Sequence, residues 1–328
     1  MPQVMVTGAA GYIGSVVVQA LIRSGYDILG IDDLSRGHRA AIDEGITFYR
    51  VQAGDHDAVA RIMDRSPIDA VVHLAGHSAV AESVANPGLY YANNIRDGIT
   101  LLECMRENGI TKIVFSSSAA VYGVPESTPI TEDQAIAPIN PYGQTKAWME
   151  AALESFASSH GFRVVSLRYF NAAGAAGPLG EDHRPETHLI PNAIRVAMGV
   201  DPELALFGDD YPTPDGTAIR DYVHVVDIAR AHVQSLEALG ELPRIAYNLG
   251  TGQGHSVKEV VDMVSRVSLE RVPVRIEPRR QGDPPELVAD PSAVKRDLGW
   301  EPEMSALDQI VKDAFRWHRD HPQGYPGG

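Results

Sequence analysis

Gly8, Gly11 and Gly14 follow the apolar run VMVT and open the amphipathic stretch YIGSVVVQALIRSG. A strand that turns through glycines into a helix brings bare backbone N–H groups and the positive end of the helix dipole to one point. That point suits a pyrophosphate, because no side chain keeps the backbone away from it. The strand and helix on either side separate this pattern from an ordinary structural turn, and they predict a dinucleotide site. The spacing is Gly-x-x-Gly-x-x-Gly rather than the commoner Gly-x-Gly-x-x-Gly.

The rest of the chain keeps the same rhythm. Short apolar runs (DILGI, ITFYRV, DAVVHLA, KIVFSSS, VVSLRYF) alternate with helical patterns, the longest at 88–108 and 142–160. Alternation of this kind builds βαβ units, so the expected fold is α/β: a doubly wound parallel sheet (Rossmann) with a second, smaller α/β substrate lobe. Residues 1–170 are assigned to the dinucleotide domain, to which the chain returns at about 218–250. The remainder of 171–328, mainly 171–217 and 251–328, turns rich in Gly, Pro and Asp and reads as the ligand-facing lobe.

A formal charge of -15 argues against nucleic acid or an anionic membrane surface as partner, since phosphate backbones require excess Lys and Arg. Any phosphate must then be gripped locally. No uninterrupted apolar run reaches the roughly 18 residues of a membrane span, and the chain enters its first strand with no leader pattern. A cytoplasmic location is expected. The single Cys104 excludes an internal disulfide and reads as packing. The 12 histidines lack metal-ligand spacing, so no metal is expected and His188 and His224 are read as hydrogen-bonding residues.

Asp32 closes the second strand, where a carboxylate accepts hydrogen bonds from the adenosine ribose hydroxyls and repels a 2′-phosphate. NAD is therefore favoured over NADP, a preference that Arg36 and Arg39 temper. Asp55 lies where it can meet the adenine edge, and a helix N-cap is its other reading. With 12 Tyr and 5 Lys in the chain, about 0.2 Tyr-x-x-x-Lys matches arise by chance, so Tyr142 and Lys146 mean little alone. Their position after the FSSSAAVYG run gives them meaning. A free phenol titrates near 10 and needs neighbouring positive charge to act as a base. Lys146 and an oxidised nicotinamide can supply it, and Ser118 can hydrogen-bond both the phenol and a substrate hydroxyl.

VTGAAGYIGS, VVHLAG, FSSSAAVYG, PYGQTK, LRYFN, LFGDDYPTPDGTAIRDYVHVVD, YNLGTG and PRRQGDPPELVAD resemble, along nearly the whole chain, the extended short-chain dehydrogenase/reductases and within them the UDP-galactose 4-epimerase family. The resemblance implies Ser118, Tyr142 and Lys146 as catalytic residues. It implies NAD held by Gly8, Gly11, Tyr12, Ile13, Gly14, Asp32, Asp33, Asp55, His56, Leu74, Ala75, Asn93, Ser116, Tyr142, Lys146 and Tyr169. It places Ser118, Asn171, His188, Leu189, Ala205, Phe207, Arg220, Arg280, Asp283 and Leu287 around a UDP-sugar. A homodimer through the 88–108 and 142–160 helices is also implied, helped by apolar Leu89, Ile95, Ile99, Leu102 and Met105.

The implied chemistry is C4 oxidation of the sugar with Tyr142 as base, turnover of the 4-ketose in its pocket, and hydride return to the other face. Such a site needs a loose sugar pocket and a firm grip on the diphosphate, for which Arg220 and Arg280 are suited. Three positions depart from the family pattern: Ser78 replaces a lysine, His188 an asparagine and Ala120 a threonine. A 4,6-dehydratase needs an acid pair where this chain reads Ser118-Ala119-Ala120. A uronate or N-acetylhexosamine epimerase, a decarboxylase and a NAD-sensing binding protein would share much of the same sequence pattern. Leu287 is expected to wall off the sugar C2 substituent.

Overall fold

The computed structural model describes residues 1–243, 245–280 and 283–326. Strands β1 (Gln3–Thr7), β2 (Asp27–Asp32), β3 (Thr47–Arg50), β4 (Ile68–His73), β5 (Lys112–Ser118) and β6 (Arg163–Tyr169) are followed by β7 (Asn171–Ala173), β8 (Leu204–Phe207) and β9 (Ile219–His224). Then come β10 (Ala246–Leu249), β11 (Gly254–Ser256), β12 (Val274–Glu277) and β13 (Glu286–Leu287). Seven of these form one parallel sheet in the order β10-β6-β5-β4-β1-β2-β3. The order reverses between β1 and β4, and open α/β sheets bind ligands beyond their strand ends at such a reversal.

Both faces of this sheet are covered, which is why its strands are apolar runs rather than alternations. Helices Tyr12–Arg23 and Val225–Glu237 pack on one face, with Val16, Val17, Leu21 and Ile228 against Val6, Val72 and Val165. Helices His56–Asp64, Asp97–Glu107 and Pro141–His160 pack on the other, with Val59, Leu101, Met105 and Leu153 against Met5, Val71 and Ile113. Each such side chain contributes about 1.5–3 kcal/mol by leaving water. Leu102 and Met105, expected to add a second apolar face, are wholly buried in this same core, and Ile95 and Ile99 lie half-buried against it. Leu89 alone of the five is exposed.

The helix expected over 88–108 is a continuous helical run with a departure in its middle. Residues Pro87–Tyr90 and Asp97–Glu107 are α-helical, and Tyr91–Arg96 widens into a π-helix. Insertions of this kind mark functional sites. The second long helix, Pro141–His160, is set by its ends: the Asn140 side chain accepts from the Gly143 N–H, Pro141 takes the first turn, and Gly161 closes it in the left-handed region.

Beyond β6 a smaller lobe forms. β11, β9 and β13 pair in that order with β7 also on β9, while β12 pairs with β8. Helices Leu189–Ala197, Val257–Ser268 and Leu307–Asp320 enclose a separate core of Ile190, Ile194, Val260, Val264, Ile310 and Val311. The chain interleaves the two: β9 belongs to the smaller sheet, whereas helix Val225–Glu237 and β10 rejoin the large one. Among the described residues no helix is long and apolar enough to cross a membrane.

A buried ionic network ties helix Pro141–His160 to the large sheet. Arg168 on β6 binds Glu150 through Nη2 (2.6 Å) and Nε (3.0 and 3.2 Å), and its Nη1 donates to the Tyr122 hydroxyl at 2.7 Å. Tyr122 donates on to Asn248 on β10 at 2.7 Å, and Ser117 donates to Glu150. Removing one partner strands the other charge in the interior. Arg168→Met is therefore expected to cost about 3–5 kcal/mol. Urea unfolding followed by circular dichroism measures this, and Arg168→Met/Glu150→Leu should regain part of the loss.

Candidate active site

The glycine loop sits at the reversal between β1 and β4. Gly8 has φ +71°, and a Cβ there would lie 2.7 Å from the Ala75 nitrogen; one on Gly14 would lie 1.9 Å from the Gly8 carbonyl oxygen. Only glycine lets β1, β4 and helix Tyr12–Arg23 meet so closely. Gly11 is the N-cap, with no side-chain cap and no acidic residue in the first turn. The N–H groups of that first turn are thus directed at the cleft, which fits a pyrophosphate. Thr7 Oγ1 bonds His73 Nδ1 at 2.7 Å and accepts from the Ala75 N–H at 3.2 Å, locking the two strand ends. Burial, then the charge of Lys146, drives the His73 pKa down to about 3, so this wall of the cleft is neutral.

Gly8, Gly11, Asp32, Asp33, Leu74, Ala75 and Asn93 line the cleft. Asp32 is buried, and its oxygens accept from the Leu34 N–H (2.8 Å) and the Ala10 N–H (3.0 Å), which fixes the carboxylate in the cleft wall. Of the two arginines that tempered the cofactor preference, Arg36 lines the cleft, and both have partners of their own. Arg36 pairs with Glu82 at 2.5 Å and Arg39 stacks over Phe48. Asp55 and His56 lie outside the cleft wall: Asp55 caps the next helix through the Ala58 N–H, and His56 pairs with Glu107 on the surface. Val51, Gln52, Ala53 and Asp97 line the wall beside them.

Tyr12 donates to the Gly174 carbonyl at 2.7 Å and Ile13 packs half-buried on the core, so both fix the loop to its surroundings. Tyr169 turns inward, with its hydroxyl 2.6 Å from His232 Nε2.

The end of β5 and the first turns of helix Pro141–His160 bring Ser116, Ser118, Tyr142 and Lys146 together. Lys146, buried, donates to the Ser116 carbonyl at 2.7 Å and stands 5.8 Å from the Tyr142 ring centre. Burial lowers its pKa to about 8 against the opposing pull of Glu150, so it carries its charge at neutral pH. Burial raises the Tyr142 pKa, and the Ser118 hydrogen bond only partly offsets this. Among the chain's own groups burial prevails, and the further positive charge of an oxidised nicotinamide is what this site calls for.

The second lobe supplies another cluster. Arg220 on β9 is buried, ion-paired with Asp283 and bonded to the Pro284 carbonyl at 2.9 Å, and Leu287 on β13 stands beside it in register. Asn171 on β7 pairs across β9 with Tyr222. Ala205 and Phe207 lie on β8, and the Arg280 guanidinium sits 4.1 Å above the Phe207 ring centre. Leu287 also packs with Ala119 and Phe170, which joins this cluster to the end of β5. His188 caps helix Leu189–Ala197 and is held by Glu181 (2.8 Å) and Glu186 (3.0 Å).

The profile of the NAD dependent epimerase/dehydratase family matches residues 4–250. The chain belongs to that family. It is 47% identical to the UDP-glucose 4-epimerase of Azospirillum brasilense, covering all of this chain and 96% of that protein. UDP-glucose 4-epimerase from Brucella ovis, crystallised in complex with NAD, superposes with a TM-score of 0.93 at 44% identity over 97% of this chain and 98% of that one. The Bifidobacterium longum enzyme in complex with NAD+ and UDP gives 0.94 at 37% identity over 98% and 100%.

Three features of this family member escape sequence reasoning. The Asn94 side chain, in the π-helical turn, accepts from the His77 N–H and donates to the His77 carbonyl and Thr145 Oγ1 (2.8, 3.0 and 3.0 Å). It fastens the cleft wall to the catalytic helix, and only the NN pair in YYANN hints at it. Tyr211 is buried within the electrostatic reach of Arg220, Arg279, Arg280 and Asp283. Finally, Glu181, His183, Glu186 and His188 gather ligand atoms within 4.8 Å of one another, although histidine spacing gives no reason to expect it. His224 stands 3.4 Å from Asp313 and accepts from the Val226 N–H, away from that cluster.

Proposed function

We infer that this chain interconverts UDP-glucose and UDP-galactose by inverting C4 of the sugar, with NAD as resident cofactor. The observation that carries the reading is the meeting of three parts. A phenol–hydroxyl–ammonium group lies at the end of β5, a side-chain-free dinucleotide loop lies at the end of β1, and an arginine cluster on the second lobe is linked to the end of β5 through Leu287, which neighbours Arg220 and packs on the cluster of Ala119. NAD bound at the glycine loop supplies reversible hydride acceptance at C4. Tyr142 takes the proton of the 4-hydroxyl and Ser118 holds the phenol and that oxygen in line. Lys146, anchored on Ser116, keeps a positive charge beside the tyrosinate. Arg220 and Arg280 are assigned the diphosphate, with Asp283 orienting Arg220 for a forked contact. We assign residues 1–170, helix Val225–Glu237 and β10 to NAD, and most of the remaining chain to the UDP-sugar.

A dehydratase reading fares worse, because Ala119 and Ala120 put methyl groups where an acid pair is required. A binding protein without catalysis has no use for Lys146 buried beside Tyr142. A homodimer through the two long helices is part of the proposal. Leu89, Tyr91 and Trp148 are exposed on that side, and the Tyr91 and Trp148 rings lie 5.4 Å apart. A cytoplasmic location fits the same reading, with Cys104 buried as a packing thiol.

Tyr142→Phe is expected to lose at least about a hundredfold in turnover, about 2.7 kcal/mol of barrier, while retaining NAD. A coupled assay from UDP-galactose measures this, and near-normal turnover would remove Tyr142 from the base role. Leu287 stands beside Arg220 and packs on the cluster that holds Ala119, so wild-type protein should prefer UDP-glucose and UDP-galactose to N-acetylated sugars. Leu287→Ser should raise UDP-N-acetylglucosamine turnover about ten- to a hundredfold, since overpacking a formed pocket costs about 1–3 kcal/mol. Equal turnover of both sugar classes by the wild type would place the gate elsewhere. Light scattering at micromolar concentration should give twice the 35.4 kDa chain mass, and Trp148→Glu should shift it towards the monomer.

A further inference from the structure

We propose that Glu181, His183, Glu186 and His188 form a binding site for one divalent transition-metal cation of the Zn2+ class. The four residues alternate carboxylate and imidazole in a short loop, and Glu181, His183 and Glu186 line a cavity of about 520 Å³ in the smaller lobe, beside helices Leu189–Ala197 and Leu307–Asp320. His183 Nδ1 lies 3.1 Å from a Glu181 oxygen and 3.9 Å from a Glu186 oxygen. His188 Nδ1 lies 2.8 Å from Glu181 and 3.0 Å from Glu186. Four N and O ligands about 2.0–2.1 Å from a tetrahedral Zn2+ are separated by about 3.3 Å, and the four side chains each offer one ligand atom within 4.8 Å of the others, the two histidines facing different Glu186 oxygens. Both imidazoles point the same ring nitrogen, Nδ1, at the carboxylates.

A second observation is independent of this spacing. The Glu181 and Glu186 side chains are 6% and 9% exposed, so two carboxylates are withdrawn from water. Every ion pair to them among the described residues comes from His183 or His188, never from Lys or Arg. Arg184 is paired with Asp182, and Arg195, whose charge also reaches Glu186, is held by Asp201 at 2.7 and 3.2 Å. Buried carboxylates are paired, neutralised or coordinate metals. A divalent ion bound by the two carboxylates and two imidazoles would balance their charge. A mixed N and O donor set selects Zn2+ and its neighbours over Mg2+ or Ca2+.

With four protein ligands the site is closed and structural rather than catalytic. It would brace the loop leading into helix Leu189–Ala197, against Tyr12 at the glycine loop, whose ring lies edge-on to His183 at 6.4 Å. The competing occupant is a pair of protons on the two imidazoles, and the experiment separates the two.

Full-length protein stripped with a chelator and dialysed into metal-free buffer is titrated with Zn2+ by calorimetry, and metal content after gel filtration is read by mass spectrometry. One equivalent per chain is expected, together with a rise in the thermal unfolding midpoint. Loss of one ligand should weaken binding at least tenfold in His183→Gln and separately in Glu186→Gln, each checked for native circular dichroism. His160→Gln, an exposed histidine outside the cluster, should bind as the wild type does. With Co2+ as probe, the visible bands of four-coordinate cobalt should appear in the wild type and vanish in His183→Gln. Retention of less than a tenth of an equivalent by the wild type, or equal affinity in all variants, would overturn the proposal and leave protonated imidazoles as the counter-charge.

Discussion

At Gly8 and Gly14 the structure depends on volume that is missing. A single methyl at either position would overlap backbone atoms of the neighbouring strand or loop. Because those methyls are absent, β1 ends against β4 and helix Tyr12–Arg23 starts on the same loop. That contact lies at the reversal of strand order, where a cleft opens at the strand ends. β5 lies next to β4, so the residues at its end, Ser116 to Ser118, border the region that the glycine loop creates. The candidate chemistry therefore follows from the sheet order, with the close backbone approach shaping the cleft at its reversal.

An acidic chain that must place cations in its interior does so by giving each a specific partner. Lys146 rests on a backbone carbonyl, Arg168 on Glu150, and Arg220 on Asp283. Each arrangement lowers the cost of removing a charge from water, and each positions a neighbour. Glu150 sits one turn beyond Lys146, so the Arg168 network that anchors the helix also sets the electrostatic background of the catalytic group. Tyr142 shows the cost of this burial: its proton is held more firmly than in water. The positively charged cofactor inferred for the adjacent cleft is the natural counterweight, and it couples cofactor occupancy to base strength.

Legibility in the sequence follows the range of the interaction. The strands of the large sheet, the glycine loop and the Tyr142–Lys146 pair are readable because each is a local pattern of volume, polarity or period. Asp55 shows the limit: both its readings are open in sequence, and the structure gives it a helix cap. The π-helical turn at Tyr91–Arg96 is invisible to a 3.6-residue period, because it is selected by what Asn94 reaches across the cleft. Leu102 and Met105 carry the right polarity for a partner surface, yet the packing of three helices turns them inward.

The sequence alone determined that this chain folds as a doubly wound α/β protein with a dinucleotide loop and a tyrosine–lysine pair, because glycine positions, apolar periodicity and i to i+4 spacing act between near neighbours. Only the tertiary structure decided which charges meet. Arg220 with Asp283, Arg168 with Glu150, and Arg36 with Glu82 are joined across 63, 18 and 46 residues. Electrostatic energy depends on distance in space and on exclusion of water, and neither is set until the lobes have packed. The cluster of Glu181, His183, Glu186 and His188 lies between these cases. Its residues are close in sequence, but the loop's path and the burial of its carboxylates turn four polar side chains towards one point.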